Sequence, residues 1–219
     1  MNKKWLGMMG LGVSALTFAP LSAASGIGPV SVGVKAGTTG LGIEAAMPVT
    51  SNWNARAALN GFNYDNDFDQ EGIDYDGTLR LQSASLMADW HVFGGAFRVS
   101  PGLFLNNNEL RGRAEGSLDI GNDIYGGRLD ATIDWRTLAP YLGIGWGDSF
   151  RGGRVTVSAD LGVMFTGSPS VSLKGQELSG TVDPAIFEED LRREEANLNR
   201  ELRDVKYWPV ATLGVSYRF

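Results

Sequence analysis

Arg154-Val155-Thr156-Val157-Ser158-Ala159-Asp160-Leu161-Gly162-Val163-Met164-Phe165-Thr166 is the stretch on which the fold turns. Val155, Val157, Ala159, Leu161, Val163 and Phe165 share one face, and Thr156, Ser158, Asp160, Gly162 and Met164 share the other. Successive side chains of a β-strand point to opposite sides of the pleat, so a repeat of two sustained this long specifies a strand. One face is wholly apolar. The other carries a carboxylate and a glycine, so the two sides must meet different surroundings.

The same alternation recurs along the chain. Phe97, Val99, Pro101, Leu103 and Leu105 oppose Arg98, Ser100, Gly102, Phe104 and Asn106; Leu138, Pro140, Leu142, Ile144 and Trp146 oppose Ala139, Tyr141, Gly143 and Gly145. Trp53, Ala55, Ala57 and Leu59 alternate with Asn54, Arg56, Ala58 and Asn60, and Ala84, Leu86, Ala88 and Trp90 with Ser85, Met87 and Asp89. Pro101 and Pro140 fit a central strand poorly, because each removes a ladder donor. Leu79 and Leu81 fall on the opposite phase to Leu86, as do Ile133 and Trp135 to Leu138, which predicts a bulge or a strand running beyond the zone where phase matters. Val30, Val32 and Val34 precede Gly37-Thr38-Thr39-Gly40, and Leu41, Ile43, Ala45 and Met47 follow it. A hairpin there gives eight strands; one bent strand gives seven.

Three connections are short (residues 48–52, 91–96 and 147–153), whereas residues 63–77, 109–130 and 168–206 are long, polar and expected to be loops. Short turns at one end and long loops at the other are the pattern of bacterial outer-membrane barrels. Within the last loop, Pro184 to Lys206 is different in kind. Phe187, Leu191, Leu198, Leu202 and Val205 form a helical stripe, Asp183 is placed to cap it, and Glu188 with Arg192 and Glu189 with Arg193 are supportive pairs four apart. The expected fold is therefore all-β: an antiparallel up-and-down transmembrane barrel of eight strands, with one helix at about 184–206 in the last external loop.

Residues 1–24 read as a signal peptide, with Lys3 and Lys4, an apolar run from Trp5 to Leu21, and Ser22-Ala23-Ala24 at the cleavage site. A retained anchor is the alternative, but the run is short and ends in small residues. Residues 25–219 are then the barrel domain. No later run reaches about 18 apolar residues, so no helix is expected to cross a membrane. Loss of Lys3 and Lys4 takes the formal charge from -6 to -8, which disfavours a nucleic-acid partner. Zero cysteines exclude a disulfide framework and thiol chemistry. Glycine, at 30 of 219 residues, is rich enough to suggest a crowded barrel interior.

The chain ends with Ala211, Leu213, Val215, Tyr217 and Phe219 on one face and a terminal Phe. This resembles the C-terminal β-signal of bacterial outer-membrane proteins. The resemblance implies recognition by the barrel-assembly machinery as a partner. Size, glycine content and hairpin order resemble the small OmpA-transmembrane and OmpW-like barrels, which implies a Gram-negative cell outer membrane.

Candidate sites follow from that frame. Lys35, Glu44, Arg56, Asp89, Arg98, Arg154, Asp160 and Arg218 fall on the minor faces, and charges of both signs inside a narrow barrel must pair. Trp53, Trp90, Phe97, Trp146, Tyr217 and Phe219 fall at strand ends near the short turns, where amphipathic rings favour a membrane interface. Asp65, Asp67, Asp69 and Asp76 have a partial EF-hand spacing, but Gln70 stands where the turn glycine belongs, so the segment is a weak metal candidate and solubilising charge is the plainer reading. Outer-membrane lipids, including lipopolysaccharide, are the expected surroundings, and no cofactor is expected. His91 is the sole imidazole, placed at a short turn without a serine at matched depth, so a lipid-modifying enzyme is disfavoured and no catalytic residue is assigned. A structural or surface-interaction barrel with a largely plugged lumen is the expected function; a narrow, porin-like channel for small or apolar solutes is the alternative.

Overall fold

The computed structural model describes the backbone of residues 28–70, 73–120, 123–177 and 184–219, and the side chains of slightly shorter spans. The signal peptide at 1–24 and the capping residue Asp183 lie outside the described residues.

The first hairpin is formed. Strand β1 (Ser31–Gly37) pairs antiparallel with β2 (Gly40–Pro48), and Gly40 turns the chain with φ of 94°, a conformation that a side chain disfavours. The strands that follow are β3 (Trp53–Gln70), β4 (Ile73–Trp90), β5 (Phe97–Asn106), β6 (Glu109–Ile120), β7 (Asp123–Asp134), β8 (Leu138–Trp146), β9 (Val155–Phe165) and β10 (Ser170–Glu177). Helix α1 (Pro184–Glu201) and a 3-10 turn (Leu202–Asp204) lead into β11 (Tyr207–Arg218).

Eight of these strands close a ring in the order β1-β2-β3-β4-β5-β8-β9-β11, with β11 returning to β1. Register can be followed all the way round: Trp208 faces Met164, then Tyr141, Gly102, Met87, Arg56, Ala46, Ser31 and finally Arg218. The circuit returns ten residues further along the same strand, which is the shear of the barrel. Eight strands with that stagger tilt by roughly 40° and leave a backbone radius of about 8 Å, room for side chains and little else. Pro101 is accommodated locally. Between Met87↔Gly102 and Trp90↔Val99 the β4–β5 pairing lapses, beside the residue with no N–H to give.

All three expected loops are corrected, the last because β10 lies within residues 168–206. Residues 63–77 and 109–130 are largely strand: β3 and β4 run 18 residues each, and β6 and β7 form a further ribbon. Polar composition concealed them, because a strand above the apolar zone has no need of a greasy outer face. The β3–β4 register is unbroken from Trp53↔Trp90 to Gln70↔Ile73, so the phase slip at Leu79 and Leu81 is no bulge. Those leucines face inward on a strand that has outrun the ring. Beyond the ring, β3, β4, β6, β7 and β10 continue as a five-stranded half-wall.

Helix α1 packs on β10. Phe187 is buried with its ring against Gly175, where a Cβ would stand 2.6 Å from Cζ. Asn199 Nδ2 donates to Val171 O while its Oδ1 accepts from Val171 N, and Glu195 Oε2 accepts from Leu173 N, each at 2.9 Å. The helix thereby occupies the hydrogen-bonding edge where a next strand would pair.

Candidate functional site

The site is the lumen. The inward faces predicted by alternation converge there in two stacked layers of opposite chemistry.

The layer nearer the short turns is ionic. Arg56 lies at its centre: Nε donates to Asp89 Oδ2 at 2.8 Å, Nη2 to Asp89 Oδ1 at 2.9 Å, and Nη1 reaches Asp160 Oδ2 at 3.1 Å and Glu44 Oε2 at 3.4 Å. Arg98 Nη2 donates to Asp160 Oδ1 at 2.7 Å, and Lys35 Nζ stands 3.9 Å from Glu44 Oε2. Ser100 Oγ donates to Asp89 Oδ1 at 2.6 Å. All six charged residues are buried, and three cations balance three anions. Balance is a physical requirement here, since a buried unpaired charge is costly while a fully bonded set is tolerated.

The structure brings together Lys35, Glu44, Arg56, Asp89, Arg98 and Asp160, but not the other two residues expected in the set. Arg154 is exposed and reaches Tyr217 Oη at 3.3 Å. Arg218 donates to Phe150 O at 2.7 Å and Gly152 O at 3.1 Å, binding the turn at 147–153. Both lie at the mouth, where the lumen face gives way to turns.

Above the ionic layer lies an apolar one that the charge pattern did not reveal: Met87, Phe104, Ala139, Tyr141, Met164 and Val210, with Trp208 packed against them. Phe104 and Tyr141 meet edge to face at 5.4 Å. Glycines make the space. A Cβ on Gly143 or on Gly162 would stand 2.6 Å from Tyr141 Cζ, and one on Gly145 would stand 2.8 Å from Arg98 Nε. Tyr141 and Arg98 therefore lie across bare backbone of their own or a neighbouring strand. The available signal was Tyr141 standing among Ala139, Gly143 and Gly145, and Phe104 beside Gly102, on minor faces.

The turn end is closed by a third set of contacts. His91 is almost wholly buried; Nδ1 donates to Gly95 O at 2.8 Å and Nε2 accepts from Asn54 Nδ2 at 3.0 Å. Asp148 Oδ2 lies 3.6 Å from His91 Nδ1 and 3.2 Å from Arg151 Nε, and Arg151 also donates to Ser51 O and Asn52 Oδ1. Three turns distant in sequence are thus pinned to one another.

The expected interface rings do gather at this end. Trp53 and Trp90, register partners, stack at 5.7 Å with planes 7° apart, and Tyr217 meets Phe219 at 5.1 Å. Trp146 is exposed and Phe97 half-buried. At the opposite rim Phe165 meets Tyr207 at 5.7 Å. The acidic segment behaves differently from a metal loop: Asp65, Asp67 and Asp69 lie on extended β3, and Asp76 faces Asp67 from β4. Extended strand sets alternate residues about 6.8 Å apart, too far for one ion to be wrapped. Among the described residues no three histidine, aspartate or glutamate side chains form a group that could hold a metal ion.

No family model matches the sequence, and no curated protein matches it. Among solved structures, CarO2 of Acinetobacter baumannii superposes with a TM-score of 0.60 at 20% identity, over 88% of this chain and 99% of that one. CarO of the same species gives 0.59 at 21%, over 87% and 98%. The shared property is the fold. This chain and CarO are alike as closed antiparallel barrels, and at that identity the likeness extends no further.

Proposed function

We propose that the chain is an integral outer-membrane barrel whose lumen is shut, with a structural or surface-interaction role for the half-wall and helix outside the bilayer. The observation that carries this reading is an inversion of ordinary globular packing. Val34, Ile43, Leu59, Leu86, Leu103, Leu142, Ile144, Val157, Leu161, Leu213 and Val215 are exposed around the ring, while Lys35, Glu44, Arg56, Asp89, Arg98 and Asp160 are buried within it. Water would not sustain so large an apolar surface; lipid would. Aromatic pairs at both rims support placement across a bilayer. Short turns then belong to the periplasmic side and the half-wall to the outside.

Phospholipid and lipopolysaccharide would be the surrounding partners, and the terminal Phe219 strand the element offered to the assembly machinery. A non-catalytic role is supported by His91, whose ring nitrogens are both engaged in a buried turn contact. The polar ionic layer favours a second reading, a narrow conduit opened by rearrangement. Membrane fractionation with heat-modifiable gel migration, followed by planar-bilayer recording, tests the proposal. Recovery in outer membranes and the absence of a steady open level are expected; a soluble mature protein, or stable conductance, would overturn it.

A further inference from the structure

We infer that the barrier to ions in this barrel is the apolar layer, and that Tyr141, seated on Gly143 and Gly162, is the side chain that closes it. This rests on the reading that the ring spans a membrane. The two lumen layers are not equivalent obstacles. A layer of carboxylates and guanidinium groups offers hydrogen bonds to water and ions, whereas an apolar constriction offers none and excludes them by dewetting. In the apolar layer β4, β5, β8, β9 and β11 supply Met87, Phe104, Tyr141, Met164 and Val210, while β3 supplies only buried Ala58, in the register row of Ser85 and Phe104. The ring of Tyr141 therefore bears much of the closure. It can lie flat along the wall only because Gly143, two along the same strand, and Gly162, the partner of Gly143 on β9, have no side chain.

Three polar atoms of the lumen are shielded on either side of the closure. Ser85 Oγ lies beside the layer, Asn60 Oδ1 one row toward the outside, and Arg98 Nε on the periplasmic side. Each is buried with no hydrogen-bond partner among the described residues.

The test uses the mature chain refolded into vesicles and planar bilayers, with ion leak as the readout and heat-modifiable migration to confirm folding. Tyr141→Ala, Gly143→Ala and Gly162→Ala are expected to raise leak about tenfold or more by emptying or unseating the layer. Tyr141→Phe, which keeps the ring, and Gly112→Ala, where a Cβ would meet nothing within 4 Å, are expected to match the unaltered protein. If Tyr141→Ala fails to fold, the Gly162→Ala and Tyr141→Phe pair decides the matter alone. Leak in the unaltered protein would sink the closed-barrel reading itself. A closed unaltered protein whose folded alanine variants also stay closed would sink this inference and leave the ionic layer as the barrier.

Discussion

Arg56 shows what a single residue contributes here. Its guanidinium engages three carboxylates from three other strands, β2, β4 and β9, so it ties the barrel wall across the lumen as well as along it. Replacement by alanine strands those carboxylates in a buried space, and we expect a loss of about 3–5 kcal/mol, the usual cost of removing one partner of a buried ion pair. Denaturant unfolding in detergent micelles would read it, and a change below the usual range would mean that the carboxylates find water. Arg56, Asp89 and Asp160 were all visible in the sequence as inward positions, but which of them pair was not. Alternation assigns a face, and 33 and 104 residues separate Arg56 from these two partners.

At the scale of elements, the junction of α1 with β10 carries the clearest prediction. Asn199 makes both hydrogen bonds to Val171 that a neighbouring strand would make, and it holds the helix against a sheet edge that would otherwise be bare. Asn199→Ala should cost about 1–2 kcal/mol, two net hydrogen bonds less any rescue by water. The expected sign is local: faster amide exchange at Val171 and earlier proteolysis within α1, with the ring itself unaffected. Global unfolding in step with the helix would contradict that. The helix was legible from its stripe and its Glu–Arg pairs, yet β10, β6 and β7 were not. Their outer faces carry Arg111, Arg113, Arg128 and Asp130, with Arg113 Nε 2.6 Å from Asp130 Oδ1, and such composition reads as loop unless the partner strand is known.

The whole molecule is governed by which solvent each face meets. Leu161 is 61% exposed near the middle of β9, so under the proposed membrane-spanning placement Leu161→Arg sets a cation against lipid. The expected cost is about 2–4 kcal/mol near the bilayer midplane. Folding titrations into lipid vesicles would measure it, with Asp130→Arg as a position outside the ring expected to leave insertion unchanged. Equal effects at both sites would argue against a bilayer around the ring.

The amino-acid order alone determined the strands of the ring, the inward or outward direction of their side chains, the hairpin alternatives at Gly37–Gly40 and the helix, because each depends on neighbours within a few residues. Only the closed tertiary structure decided that eight strands rather than seven complete the circle. It also decided that β4 leaves β5 for β6 above the ring, and that Tyr141 rests on Gly143 and Gly162. Those outcomes depend on register carried around a circuit of eight strands, and register is a relation between distant segments that no local period can encode.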